Sequence, residues 1–184
     1  MKTALILVDI QNDYFPNGKM ELVGTDTASQ NAERLLDSFR KRSRPIFHIQ
    51  HINSPQASFF VVGTSGSEIH ESVQPKEGEP VIQKHSPNSF HETSLLSDLR
   101  KSGVELLVIC GAMSHMCIDA TTRAASDYGF TCIVAHDACA TKALEFEGHL
   151  IAAADVHGSF MAALGAAYAK VVPTTEAISI ASSF

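Results

Sequence analysis

Val104-Glu105-Leu106-Leu107-Val108-Ile109-Cys110-Gly111-Ala112-Met113-Ser114-His115-Met116-Cys117 is the stretch on which the reading of this chain turns. Its first seven residues are mostly apolar, stop abruptly at Gly111, and read as a buried strand. After Cys117, the residues Ile118, Ala120, Thr121, Ala124, Ala125 and Tyr128 keep a helical spacing until Gly129. Cys117 therefore falls at a strand-to-helix junction, at the carboxyl end of a sheet strand and beside the free N–H groups of a helix start. Thiolates are stabilised there, and open α/β sheets bind their ligands there. A small buried core cysteine would fit the same position.

Two further strands end on chemistry-bearing side chains. Ala4-Leu5-Ile6-Leu7-Val8 is a buried strand that runs into Asp9, and Pro80-Val81-Ile82-Gln83-Lys84 is a short one that ends on a lysine. Taken singly, Asp9 reads as a loop or cap residue and Lys84 as a solvated edge lysine. In a parallel sheet, however, all three strand ends share one edge, so an acid, an ammonium and a thiol can converge.

The rest of the chain supports such a sheet. Strands are expected near Ala4–Asp9, Pro45–His51, Pro80–Lys84, Glu105–Cys110, Thr131–Ala135 and Lys170–Val172. Helices are expected near Asp26–Ser43, Thr93–Ser102, His115–Tyr128, Leu144–Val156 and Gly158–Tyr168, with a last one from Thr174. Short β-branched strands alternating with helices give a three-layer α/β/α sandwich around a six-stranded, mainly parallel, Rossmann-like sheet. Right-handed crossovers put the βα loops on one edge. No repeat or linker interrupts residues 1–184, which read as a single domain. The longest irregular stretch, Ile52–Glu79, is rich in Ser, Gly and Pro and is expected to shape a pocket.

Composition narrows the function classes. The 184 residues carry a formal net charge of -6, and Arg40-Lys41-Arg42-Ser43-Arg44 is the densest basic patch, which argues against a nucleic-acid partner. The apolar stretch behind Lys2 is too short for a signal peptide and meets Asp9 at once. No window reaches the roughly 18 apolar residues of a membrane span. Cys110, Cys117, Cys132 and Cys139 have no paired spacing, as expected of reduced thiols in a cytoplasm. Cys110 and Cys132 lie in expected strands as core fillers. Gly63-Thr64-Ser65-Gly66 lacks the length and the Gly-Lys-Ser ending of a phosphate loop.

Several stretches, in order along nearly the whole chain, carry a family resemblance. They are Leu7-Val8-Asp9-Ile10-Gln11-Asn12-Asp13-Tyr14-Phe15, Gly63-Thr64-Ser65-Gly66-Ser67-Glu68-Ile69-His70, Lys84-His85-Ser86-Pro87-Asn88-Ser89-Phe90, Gly111 to Cys117 with Asp119-Ala120-Thr121-Thr122-Arg123-Ala124-Ala125, and Asp137-Ala138-Cys139-Ala140-Thr141. The chain resembles the isochorismatase-like cysteine hydrolases, a superfamily that includes nicotinamidases and N-carbamoylsarcosine amidohydrolases. The resemblance implies an Asp-Lys-Cys triad at Asp9, Lys84 and Cys117, and a cis peptide between Ala112 and Met113. The backbone N–H groups of Met113 and Cys117 are the best candidates for an oxyanion hole. In this scheme Lys84 and the helix start would favour the thiolate, and Asp9 would take and return the proton. The expected reaction is hydrolysis of a small molecule's C–N bond through a thioester. Vinyl-ether hydrolysis of the isochorismatase type is the alternative, and a binding protein without turnover is another.

No cofactor is expected. His48 and His51 would point to opposite faces of a strand. Where metal-binding nicotinamidases carry their ligands, this chain has His51, Asn53 and Phe59, and two of those three changes remove good donors. Phe15, His51, Phe59, Phe90 and His115 are candidates for lining the pocket. The low charge of His115–Tyr128 and the alanines of Ile151–Ala169, together with the resemblance, imply a homodimer or homotetramer.

Overall fold

The computed structural model describes residues 1–183. Six strands, β1 (Thr3–Val8), β2 (Ile46–His51), β3 (Val81–Lys84), β4 (Leu106–Ala112), β5 (Thr131–Ala140) and β8 (Lys170–Val172), form one sheet in the order β3-β2-β1-β4-β5-β8. Every neighbouring pair is parallel. The strand order reverses between β1 and β4, and at that switch point the crevice beyond the strand ends receives ligands in open α/β sheets.

β1 shows why the sheet needs cover on both faces. Its residues are all buried, with Leu5 and Leu7 on one side and Ala4, Ile6 and Val8 on the other. On the first side Ala32, Leu35, Leu36 and Phe39 of α1 (Thr25–Lys41) pack with Ala177 and Ala181 of α5 (Thr174–Ser182). On the second, Leu95 and Leu99 of α2 (Leu95–Lys101), Ala125 of α3 (Asp119–Asp127), and Met161 and Leu164 of α4 (Ala153–Ala167) form a separate cluster. The expected three-layer α/β/α arrangement is therefore present. Among the described residues no helix is long and apolar enough to cross a membrane.

Two expectations differ from the structure. Of the expected helix Leu144–Val156 only Ala153–Val156 is helical, as the start of α4; Leu144–Phe146 (β6) and His149–Ile151 (β7) pair antiparallel as a hairpin. Its turn residues Glu147 and Gly148 have φ of 49° and 79°, the double positive φ that a two-residue type I′ turn requires. Gly158 then sits inside α4 rather than between two helices. Its cost of about 1 kcal/mol relative to alanine is too small to end a helix held by Val156, Met161 and Leu164. β5 also runs on to Ala140, past the expected end at Ala135, because an irregularity in its pairing with β4 brings Cys139 opposite Gly111.

The loop between β2 and β3 is tied down at several points. Gln11, fully buried, donates its side-chain amide to the carbonyls of His51 and Ser67, both at 2.8 Å, and accepts from the His51 N–H at 2.8 Å. Asp13 accepts from the Phe60 N–H at 2.6 Å and the Lys19 N–H at 3.1 Å. A Cβ on Gly66 would run into the Asp13 carboxylate, which explains the second glycine of Gly63-Thr64-Ser65-Gly66.

At the opposite, amino-terminal pole of the strands, Glu79 joins α1 to β2. Arg40 grips it in a fork of 2.7 and 2.8 Å, His48 approaches at 3.0 Å, and the Lys76 N–H donates at 2.9 Å. Burial alone would raise the Glu79 carboxyl, but these donors outweigh it and hold it at about 2. A depressed carboxyl contributes stability that is complete above its unfolded value, 4.5, and lost as pH falls toward about 2. Glu79→Gln is thus expected to be less stable at pH 7 by about 1–3 kcal/mol. In denaturant titrations the gap should close as the pH is lowered through that window; a gap constant with pH would contradict this account.

Candidate active site

The three strand-end residues meet at the switch point. Asp9 follows β1 with φ of 53°, a region that a non-glycine residue rarely occupies and that Asp tolerates better than most. Its N–H is held by the Ile49 carbonyl at 3.0 Å. Lys84 is the last residue of β3, and its Nζ lies 2.8 Å from Asp9 Oδ2, with both side chains fully buried. The same ammonium donates to the carbonyls of Ser86 at 2.9 Å and Pro87 at 3.2 Å. Apart from Lys84, no hydrogen-bond donor reaches either Asp9 oxygen from the described residues.

Cys117 enters from the other side of the switch point. β4 ends at Ala112, the Ala112–Met113 peptide is cis, and Ser114–Ile118 forms a π-helical turn leading into α3. Gly111 makes this approach feasible: its φ is 126°, and a Cβ there would strike the Val8 carbonyl of β1. Cys117 is buried, and its sulfur, a carboxylate oxygen of Asp9 and a ring nitrogen of His51 all lie within 4.8 Å of one another.

The electrostatics correct one expectation. Burial pushes the Cys117 thiol well up, Asp9 adds to the rise, and Lys84 only partly opposes it. The resting sulfur is thus a protonated thiol rather than a stabilised thiolate. For Lys84 the balance is reversed: burial works against the ammonium, but the interactions that favour it, led by the Asp9 carboxylate, outweigh burial and raise its pKa. Burial pushes the Cys132 and Cys139 thiols up to about 12.

The expected pocket residues are distributed unevenly. His51, half-buried at the end of β2, faces the triad, with Nδ1 3.3 Å from Lys84 Nζ and Nε2 3.0 Å from Asn53 Oδ1. Burial lowers its pKa, so the ring is neutral, and an accepting Nδ1 leaves Nε2–H to donate to Asn53. Asn53 in turn donates to the Phe59 carbonyl at 3.0 Å. The positions compared with metal ligands thus bond to one another. Phe59 joins an aromatic group with Phe60 and Tyr14 at centroid separations of 4.9 and 6.0 Å. Phe15 stacks on His70 at 3.5 Å, Phe90 packs with Tyr128 and Phe130, and His115 Nδ1 meets Thr141 Oγ1 at 2.6 Å.

Gln11, Asp13, Tyr14 and Asn53 were not singled out as site residues from the sequence. The first three stand in the run that begins at Asp9, and their side chains turn toward the loop or the triad only because that run leaves the sheet in a short 3-10 turn, Asn12–Tyr14. Ile10, Tyr14, Phe15, Gly111, Ala112 and Ala140 help enclose a small apolar cavity of about 10 Å³ in this region. A much larger depression of about 880 Å³ lies at the other pole, lined by Lys2, Pro45, Pro80 and Ser102. Size alone does not choose the candidate site; the convergence of Asp9, Lys84 and Cys117 marks it out.

Comparison with known proteins places the chain in a family. The family profile for the Isochorismatase domain matches residues 3–167. An uncharacterized isochorismatase family protein, YddQ of Bacillus subtilis (strain 168), is 55% identical over 178 residues, covering 96% of this chain and 98% of that protein. Streptothricin hydrolase of Streptomyces noursei is 33% identical over 138 residues, 75% of this chain and 49% of that protein. The crystal structure of an isochorismatase from Pseudomonas putida KT2440 superimposes with a TM-score of 0.91 at 38% identity, covering 95% of this chain and 89% of that one. With the profile spanning most of its length and a relative of equal extent at more than half identity, this protein belongs to the isochorismatase family.

Proposed function

We propose that the protein is a cysteine hydrolase that cleaves a C–N bond of a small amide-type substrate through a thioester, with Asp9, Lys84 and Cys117 as its catalytic groups. The observation that carries this reading is the buried Asp9 carboxylate, 2.8 Å from the Lys84 ammonium and facing the Cys117 sulfur. A base with no donor but Lys84 is free to take a proton, and the thiol beside it has one to give.

Attack begins as Cys117 passes its proton to Asp9 and its sulfur bonds to the substrate carbonyl carbon. The carbonyl oxygen becomes an oxyanion, for which the N–H groups of Met113 and Cys117 are the assigned donors. Collapse breaks the C–N bond, and Asp9 delivers the proton to the departing nitrogen. Water then adds to the thioester, losing a proton to Asp9, which returns it to the leaving Cys117 sulfur. Lys84 stays charged throughout; it fixes Asp9 and offsets the negative charge that moves between carboxylate, sulfur and oxygen. A relative named as a hydrolase supports this class. Vinyl-ether hydrolysis does not need the thiol, so Cys117→Ala separates the two chemistries.

With a panel of small amides, Cys117→Ala is expected to lower turnover by a factor on the order of 10³ or more, and Asp9→Asn and Lys84→Ala to do likewise. Acyl adducts found by mass mapping should sit on the Cys117 peptide. Full turnover by Cys117→Ala would exclude the thioester route.

The raised thiol also sets a pH dependence. Alkylation of Cys117 should be the fastest among the four cysteines because the Asp9 carboxylate stands beside it to take the proton, and it should keep rising through pH 9 because burial holds the thiol pKa up. A plateau near pH 7, or faster reaction at Cys110, Cys132 or Cys139, would contradict the assignment.

We further propose a homo-oligomer of dimers or larger, working in the cytoplasm on a small-molecule substrate. The β6–β7 hairpin exposes Phe146 at 68% and Leu150 at 77%, and the adjacent α4 exposes Ala154, Ala162, Ala163 and Ala166. Apolar surface of this kind favours a symmetric contact. Light scattering at micromolar concentration should give at least two chains, and Phe146→Lys with Leu150→Asp should give one; a wild-type mass of one 19.8 kDa chain would refute this.

A further inference from the structure

We infer that Asp9, His51 and Cys117 form an inhibitory site for a thiophilic divalent cation of the zinc type, which binds in place of the Lys84 ammonium and switches the enzyme off. The inference deepens the reading of Cys117 as nucleophile, because the same sulfur would be consumed as a ligand. It is separate from the ligand positions considered from the sequence, of which only His51 takes part.

Carboxylate oxygen, imidazole nitrogen and thiolate sulfur are zinc's usual donors. Here one of each lies within 4.8 Å of the others. Donors around tetrahedral zinc stand about 3.5 Å apart, so closure asks for shifts of roughly 1 Å. His51 can supply part of that, being half-buried at a strand end.

Two features favour a cation. The Asp9 oxygens are buried and, Lys84 apart, receive no donor. The His51 ring has its lone pair at Nδ1 turned inward, because Nε2–H is spent on Asn53 Oδ1 at 3.0 Å. A second contact of this kind, holding the ring and fixing its tautomer, is what metal-bound histidines ordinarily have.

The site already holds a cation of its own. Lys84 Nζ lies 2.8 Å from Asp9 Oδ2 and 3.3 Å from His51 Nδ1. Charge balances if Lys84 also gives up a proton: a carboxylate, an ammonium and a neutral thiol sum to zero in one state, and a carboxylate, a thiolate, a divalent ion and a neutral lysine amine sum to zero in the other. On binding, the Cys117 thiol and the Lys84 ammonium each release a proton to solvent, a sulfur–metal bond forms, and the neutral lysine amine gives up Asp9. Lys84 therefore competes with metal, and this sets a sign that a simple thiol poison would not show.

Calorimetric titration with zinc should find one ion per chain in the wild type, and cobalt should produce the absorption bands of a tetrahedral sulfur-ligated site. His51→Ala and Cys117→Ser should each weaken zinc binding at least tenfold, while Lys84→Met should tighten it by a similar factor. Zinc should stop turnover, and EDTA should restore it. If Lys84→Met does not fold without metal, zinc should raise its thermal transition, which keeps the test open. Unchanged affinity in His51→Ala would reduce the effect to a bare thiol and overturn the site, as would weaker binding by Lys84→Met or loss of wild-type activity in EDTA. Binding is read without turnover, so an inactive enzyme that still binds zinc through His51 would refute the proposed hydrolysis and leave the metal site standing.

Discussion

A lysine ammonium and an aspartate carboxylate, both out of contact with water and 2.8 Å apart, are the constraint on which the rest of this site depends. Burying either charge alone would cost several kcal/mol, and even a buried pair holds only where geometry and extra hydrogen bonds compensate. Here they come from the chain itself: the carbonyls of Ser86 and Pro87 and the His51 ring share the two remaining ammonium protons. The turn after β3 is therefore part of the electrostatics, because without those carbonyls Lys84 would be an under-solvated cation. Replacing either partner singly leaves the other charge buried and exposed to the full penalty.

The pair also explains why the thiol beside it is held protonated. A lone cation near Cys117 would favour the thiolate, as in many cysteine enzymes. Once Asp9 neutralises Lys84, little attraction remains for a second negative charge, and burial dominates. In the proposed reaction the nucleophile is then made during attack, with Asp9 already in place as the base. A neutral sulfur is also a weaker ligand for soft metals than a thiolate.

The loop between β2 and β3 performs a related task at the rim. Gln11 ties His51 to Ser67, Asp13 ties Phe60 to the first βα turn, and Asn53 ties His51 to Phe59. The Gln11 and Asp13 bonds run from side chains outside the loop to backbone far away in sequence, and the Asn53 bonds close it locally, so the loop is specified largely by residues outside it. A long irregular segment rich in Ser, Gly and Pro is thereby ordered without secondary structure of its own.

Much of this was legible in the sequence. Buried β-branched runs ending at Asp9, Lys84 and Gly111 are enough to give a parallel sheet, because strands covered on both faces must be apolar throughout, and parallel strands place their ends on one edge. That alone brings the acid and the ammonium to one edge; the thiol joins them through the turn that follows β4, where Gly111 lies close against β1. What the sequence could not supply is set by contacts between distant segments. The Leu144–Ile151 hairpin reads as helix because its apolar spacing suits either form, and only the positive φ of Glu147 and Gly148 separates them. Gln11 and Asn53 look like ordinary polar residues until the fold brings His51 between them. The thiol's protonation could not be read from residue types either, since Lys84 lowers and Asp9 raises the same pKa, and burial decides the balance. Local patterning fixes which elements form and which side chains end them; distance and burial, which exist only in the folded chain, decide how strongly those side chains act on one another.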